Sequence, residues 1–151
     1  MPVGAFCSND KVWQIMMEPN PFIHTTTTGG GPLACAAAIA AIHVVLEERL
    51  WEQAAEKGAY LMGEVEKLAQ QYPAIYQKVT GRGLLIGQHF LDSQVGYREA
   101  AGLFRRGVLV AGTLNNAKVI RLEPPFVVTR EQIDTVLDRL ADTLAEINRT
   151  L

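Results

Sequence analysis

The run from Leu33 to Leu46, LACAAAIAAIHVVL, holds a single polar residue, His43. Pro32 stands directly before it and suits a first helical position, so the run reads as a helix beginning near residue 32 and apolar on every side. Such a helix has to be covered by other apolar surface. It is too short to cross a bilayer, which takes about 20 apolar residues, and therefore reads as a core helix with His43 a satisfied core histidine.

The residues upstream are of the opposite kind. His24 to Gly31 reads HTTTTGGG, four hydroxyls and three glycines leading straight into the helix. Two readings are open. Thr28 or a neighbouring threonine caps the helix while the glycines form a turn. Alternatively, the unpaired amides and positive dipole end of the first turn receive an anion that the glycine backbone approaches closely. The pattern lacks the Lys-Ser/Thr ending of a phosphate loop.

The rest of the 151-residue chain is that of an ordinary domain with 48% hydrophobic residues. Its 14 basic and 16 acidic residues, net charge −2, are scattered without long runs. That excludes a dedicated nucleic-acid or anionic-membrane surface and leaves small ligands open. Cys7 and Cys35 show no metal-ligand spacing, and with no histidine clustered beside them they read as reduced, structural cysteines of a cytoplasmic protein. The start, MPVGAF, carries neither a secretory signal nor a polar tail, as though the chain began within a fold.

Periodicity orders the remainder. A short helix is expected over Asp10–Met17, ended by EPNPF. After the apolar helix and a bend near Arg49–Trp51, Ala54, Leu61, Val65 and Leu68 mark an amphipathic helix that Pro73 ends. Two strands follow in IYQKVTGRGLLIGQHFL, separated by a Gly81–Gly83 turn. A helix over Gly96–Arg106 is closed by Gly107. VLVAG and KVIRLEP read as short strands. The last helix has a capping-box start at Thr129 and Gln132, with an apolar stripe through Ile133, Val136, Leu137, Leu140, Leu144 and Ile147. The fold class is mixed α/β, a small mixed sheet covered by helices and preceded by a long helix.

Chemistry-bearing residues are few. Arg121 lies in the strand VIRLEPP with Ile120 and Leu122 on the opposite face. A guanidinium in such company has a partner, either Glu123 or the carboxylate of a substrate gripped by its planar fork. The three histidines and five lysines form no triad, no metal site and no apolar amine pocket.

Taken together, MPVGA, HTTTTGGGPLACAAA, GRGLLIG and VLVAGTLNNAKVIRLEPP resemble, in order and spacing over nearly the whole chain, the C-terminal part of class III pyridoxal-phosphate aminotransferases. The resemblance implies the C-terminal small domain of a fold-type I enzyme over residues 51–151, with residues 1–50 the end of the large cofactor-binding domain and the inter-domain helix. It implies pyridoxal 5′-phosphate as cofactor, a homodimer, and transfer of an amino group from putrescine or a related ω-amine to 2-oxoglutarate. Thr27, with Thr28 beside it, would meet the cofactor phosphate of the partner subunit. Arg121 would hold the substrate carboxylate. The family's Schiff-base lysine falls just upstream of MPVGA, so no catalytic residue is expected here and the chain alone should be inactive. Thr28, Gly31, Thr80 and His89 replace the family's aromatic, asparagine, arginine and acidic residue, which puts local packing and ion pairing at those places in question. The competing reading is a stand-alone, non-catalytic module that binds a small anion or dimerises.

Overall fold

The computed structural model describes residues 3–19 and 25–151, and the chain divides into two compact units, Met1–Glu48 and Arg49–Leu151. His24 and most of the EPNPF segment lie outside the described residues.

The first unit holds α1 (Asp10–Met17) and α2 (Pro32–Glu47). Helix α1 starts where Asn9 accepts the Val12 amide on its side chain, a cap that the sequence reading missed. Helix α2 begins at Pro32 as expected, but its N-cap is Gly31 and no side chain caps it. Thr28 serves the turn through its carbonyl, which accepts the Gly31 amide at 3.2 Å, with Gly30 at φ +69°. No residue of α2 is buried, and His43 is exposed rather than packed in a core. A helix apolar all round needs cover all round, and the other described helix of its unit is only eight residues long. Cys7 is likewise exposed, and both cysteines are thiols.

The second unit runs α3 (Leu50–Gln71), β1 (Tyr76–Arg82), β2 (Leu85–Phe90), α4 (Ser93–Arg105), β3 (Ala111–Gly112), β4 (Val119–Leu122) and α5 (Arg130–Asn148). The strands form one sheet in the order β1-β2-β4-β3 with every pairing antiparallel, not mixed as the sequence suggested. Arg49, at φ 50°, makes the break before α3. Helix α4 starts three residues earlier than expected because Asp92 caps it, accepting the Gln94 amide at 2.6 Å. It ends in a Schellman motif: the Gly107 and Val108 amides donate to the Phe104 and Leu103 carbonyls, with Gly107 at φ +75°. The Thr129–Gln132 capping box opens α5 with both reciprocal bonds made.

One sheet face is apolar. Ile86 and Phe90 of β2 and Ile120 and Leu122 of β4 are buried with Leu61 and Val65 of α3, Leu103 of α4, and Ile133, Leu140 and Leu144 of α5. Helix α3 meets the β1–β2 turn at its closest point: a Cβ on Gly58 would lie 2.2 Å from the Gly83 carbonyl. Only glycine lets helix and backbone approach so nearly.

The core has one polar seam. The Tyr76 hydroxyl donates to Gln88 Oε1 at 2.6 Å, and Gln88 Nε2 donates to Glu99 Oε1 at 2.8 Å. Glu99 is fully buried, its Oε2 has no partner, and burial raises its pKa from 4.5 to about 8 although the Gln88 bond opposes the shift. The Tyr76 hydroxyl is also pushed well up, by burial and then by the Glu99 charge. The spacing Val95, Glu99, Leu103 places Glu99 on the inward stripe of α4, so an ionisable group occupies a core position.

Two stability measurements test this packing. Gly58→Ala should destabilise the second unit by about 1–3 kcal/mol in denaturant unfolding, because the new methyl meets backbone that cannot yield; an unchanged midpoint would refute the close approach. Glu99 binds its proton more tightly folded than unfolded, so its contribution is complete below pH 4.5 and is lost as pH rises towards 8. Glu99→Gln, which cannot ionise, should therefore gain on the wild type by on the order of a few kcal/mol between pH 5 and pH 8.5. Thermal melts in which the gap between the two proteins stays constant over that range would exclude a protonated Glu99.

Candidate functional site

Arg121 is positioned by strand pairing. On β4 it stands opposite Gly87 of β2 and Ala111 of β3, two small residues. It lies on the sheet face opposite to buried Ile120 and Leu122, as period two requires. Its Nη2 sits 3.3 Å from Glu123 Oε1, both side chains being about two-fifths exposed (40% and 42%). An ion pair so exposed contributes little, about 0–1 kcal/mol, and leaves the guanidinium available to a stronger partner. The Nε atom of the same guanidinium is buried and meets no acceptor. A buried donor without a partner is costly, and an incoming carboxylate would relieve that cost.

The group opens onto a cavity of about 540 Å³. Leu61 of α3, Val110, and Ile133 and Val136 of α5 supply apolar wall, and Arg121 and Glu123 are the charged residues that line it. Pro124 and Pro125 fix the chain as it leaves β4, and Lys57 of α3 donates to the Phe126 carbonyl at 3.1 Å. A cavity with apolar walls and one guanidinium fits a small molecule that carries a carboxylate at one end. Of the two partners expected for Arg121, Glu123 is the one in contact with it.

Thr27 and Thr28 lie together in the other unit, in the turn before α2, and both are exposed. Behind them the first turn of α2 has no side-chain cap, and a Cβ at Gly30 would meet open space. Two hydroxyls and an uncapped helix N-terminus suit a phosphate group.

Two of the departures from the family pattern meet one another. Thr80 Oγ1 and His89 Nε2 are 2.8 Å apart across β1 and β2. His89 is held towards its neutral form, by partial burial and then by the positive charge of Lys78. A neutral hydrogen bond thus joins the two positions at which the family commonly has an arginine and an acidic residue.

Among the described residues, no group of three or more His, Cys, Asp or Glu side chains is arranged to hold a metal ion. No described helix is long and apolar enough to cross a membrane. The lysines are exposed or partly exposed; Lys67 pairs with Glu64, Lys118 donates to the Leu91 carbonyl and Lys57 to Gln53 and Phe126.

The architecture is shared with solved transaminases. An acetylornithine aminotransferase from Elizabethkingia anophelis is 36% identical over 82% of this chain and 32% of its own, with a TM-score of 0.75. A thermostable (S)-enantioselective omega-transaminase from Thermomicrobium roseum is 29% identical over 91% of this chain and 32% of its own, TM-score 0.76. A lysine aminotransferase from M. tuberculosis is 25% identical over 91% and 31%, TM-score 0.80. The chain spans only about a quarter to a third of such proteins, 24% in one case and 35% in another. The family model for class-III aminotransferases matches residues 1–144, and the chain belongs to that family.

Proposed function

We propose that the chain is the C-terminal part of a pyridoxal-phosphate-dependent aminotransferase that moves an amino group from putrescine or a related ω-amine to 2-oxoglutarate, working as a cytoplasmic homodimer. The observation that carries the reading is the Arg121 guanidinium, with its unpartnered buried Nε, at the charged end of an apolar cavity. Relatives whose names specify acetylornithine and lysine as substrates support an amino donor with a second functional group along its chain.

When bound, the cofactor supplies the electron sink and the carrier for the amino group. The residues of this chain hold and orient. Thr27, with Thr28 beside it, would donate hydroxyl hydrogen bonds to the cofactor phosphate of the partner subunit, helped by the dipole of α2. Arg121 grips the oxo-acid carboxylate by two parallel N–H bonds, displacing Glu123 and satisfying Nε. The apolar walls take the carbon chain and exclude water from it. Anchoring one end of the substrate fixes where its other end lies, which is what group transfer requires.

In the full-length enzyme, Arg121→Lys keeps the charge and loses the fork, so kcat/KM for 2-oxoglutarate should fall roughly 10- to 100-fold, equivalent to about 1.4–2.7 kcal/mol, while cofactor affinity holds. Unchanged oxo-acid kinetics would return Arg121 to a purely structural pairing with Glu123. The 151-residue chain alone should show no amino transfer, because a lysine nucleophile needs desolvation or a neighbouring cation and its lysines are solvent-accessible. Borohydride trapping with pyridoxal phosphate should then label several lysines thinly; one lysine labelled stoichiometrically at low cofactor would refute this.

A further inference from the structure

Helices α4 and α5 enclose a second concavity, of about 250 Å³, that shares no residue with the Arg121 cavity. The helices run antiparallel, since Arg98 of α4 reaches Thr150 beyond α5 while Arg105, two turns later, reaches Glu146. Their close approach explains the hollow. A Cβ at Gly102 would lie 2.5 Å from Thr143 Cγ2, so the helices are nearly in contact there, and Ala101 leaves the floor low. Longer side chains, Tyr97, Arg98 and Arg105, stand around it.

The charge there is unbalanced. Glu146 is the carboxylate lining the hollow, and it is shared: Arg106 Nη2 lies 2.8 Å from Oε2 and Arg105 Nη2 3.2 Å from Oε1. The Arg106 hydrogen bond, with the charges of Arg106, Arg105 and Arg149, holds the Glu146 carboxyl below its usual range, so it is saturated with cations. Arg98 is bonded, among the described residues, to a hydroxyl alone, that of Thr150. Tyr97 exposes 72% of its surface on the same rim, an aromatic face with no apolar cover.

We propose that this α4–α5 groove binds a phosphorylated small molecule that carries a planar ring, the phosphate between Arg98 and Arg105 and the ring against Tyr97. Guanidinium forks match phosphate oxygens bidentately, and an exposed tyrosine ring is a ready stacking partner. The volume, about 250 Å³ against roughly 300–1,000 Å³ for ordinary ligand pockets, suits a small molecule held partly at the surface rather than a folded partner.

Calorimetric titration of the chain at low salt, with adenosine 5′-monophosphate as probe and inorganic phosphate and adenosine as controls, tests the assignment. The nucleotide should bind with a sub-millimolar dissociation constant, and Arg98→Gln/Arg105→Gln should weaken it at least about 10-fold. Tyr97→Ala should weaken the nucleotide by about 3- to 10-fold and leave inorganic phosphate unaffected. Circular dichroism establishes that each variant is folded, and Arg139→Gln, elsewhere on α5, should bind as the wild type. The proposal is overturned by no binding up to about 10 mM, by equal binding in the double variant, or by an equal loss in Arg139→Gln, which would show a response to overall charge alone.

Discussion

The antiparallel pairing of β4 with β2 is the contact on which the second unit depends. β4 comes to the sheet after α4 and the long loop through β3, and it lies against β2, not at an edge. That placement buries Ile120 and Leu122 beneath the helices and sets Arg121 opposite Gly87 on the other face. A side chain at position 87 would press on Thr80, His89 and Val119, which a Cβ there would approach to 3.4–3.6 Å. A slip of one residue would exchange the faces, burying Arg121 and exposing Ile120. The register that completes the core is thus the same register that presents the charged group.

Two ionisable groups of this unit, Glu99 in the core and half-buried Arg121, are treated in opposite ways. Glu99, sealed in the core with one hydrogen bond, is held towards its neutral form by burial, which the Gln88 bond only partly opposes. Arg121 cannot lose its proton, so it sits at a cavity mouth where Glu123 and solvent reach part of it. Which charged residues a fold tolerates inside follows from which can be discharged.

Much of this architecture could be read from local signals. The capping box at Thr129 and the stripe through Leu140 and Leu144 define α5, Gly107 the end of α4, and period two the face of Arg121. Failures came where an outcome depends on distant chain. A polar residue before Pro32 would have capped α2, but glycine takes that position and the hydroxyls are left exposed. His43 sits in a run apolar enough to be core, and burial needs neighbours that local pattern does not reveal. Glu99 was detectable from its spacing with Val95 and Leu103, whereas the α4–α5 groove depends on the approach of Gly102 to Thr143, across about 40 residues of intervening sequence. The resemblance to the aminotransferases identified the family from the same motifs, while the roles of Thr27, Thr28 and Arg121 remain proposals that stand on geometry and chemistry.

The Thr80–His89 contact gives the β1–β2 hairpin a particular character. A cross-strand ion pair on an exposed sheet face weakens as salt screens it, so the hairpin's strength would follow the ionic medium. With a hydroxyl and a neutral imidazole instead, the bond between the strands carries no net charge to be screened. The face of the sheet that bears Arg121 is therefore braced by a contact indifferent to ionic strength, and the salt dependence of this region is left to the arginine itself.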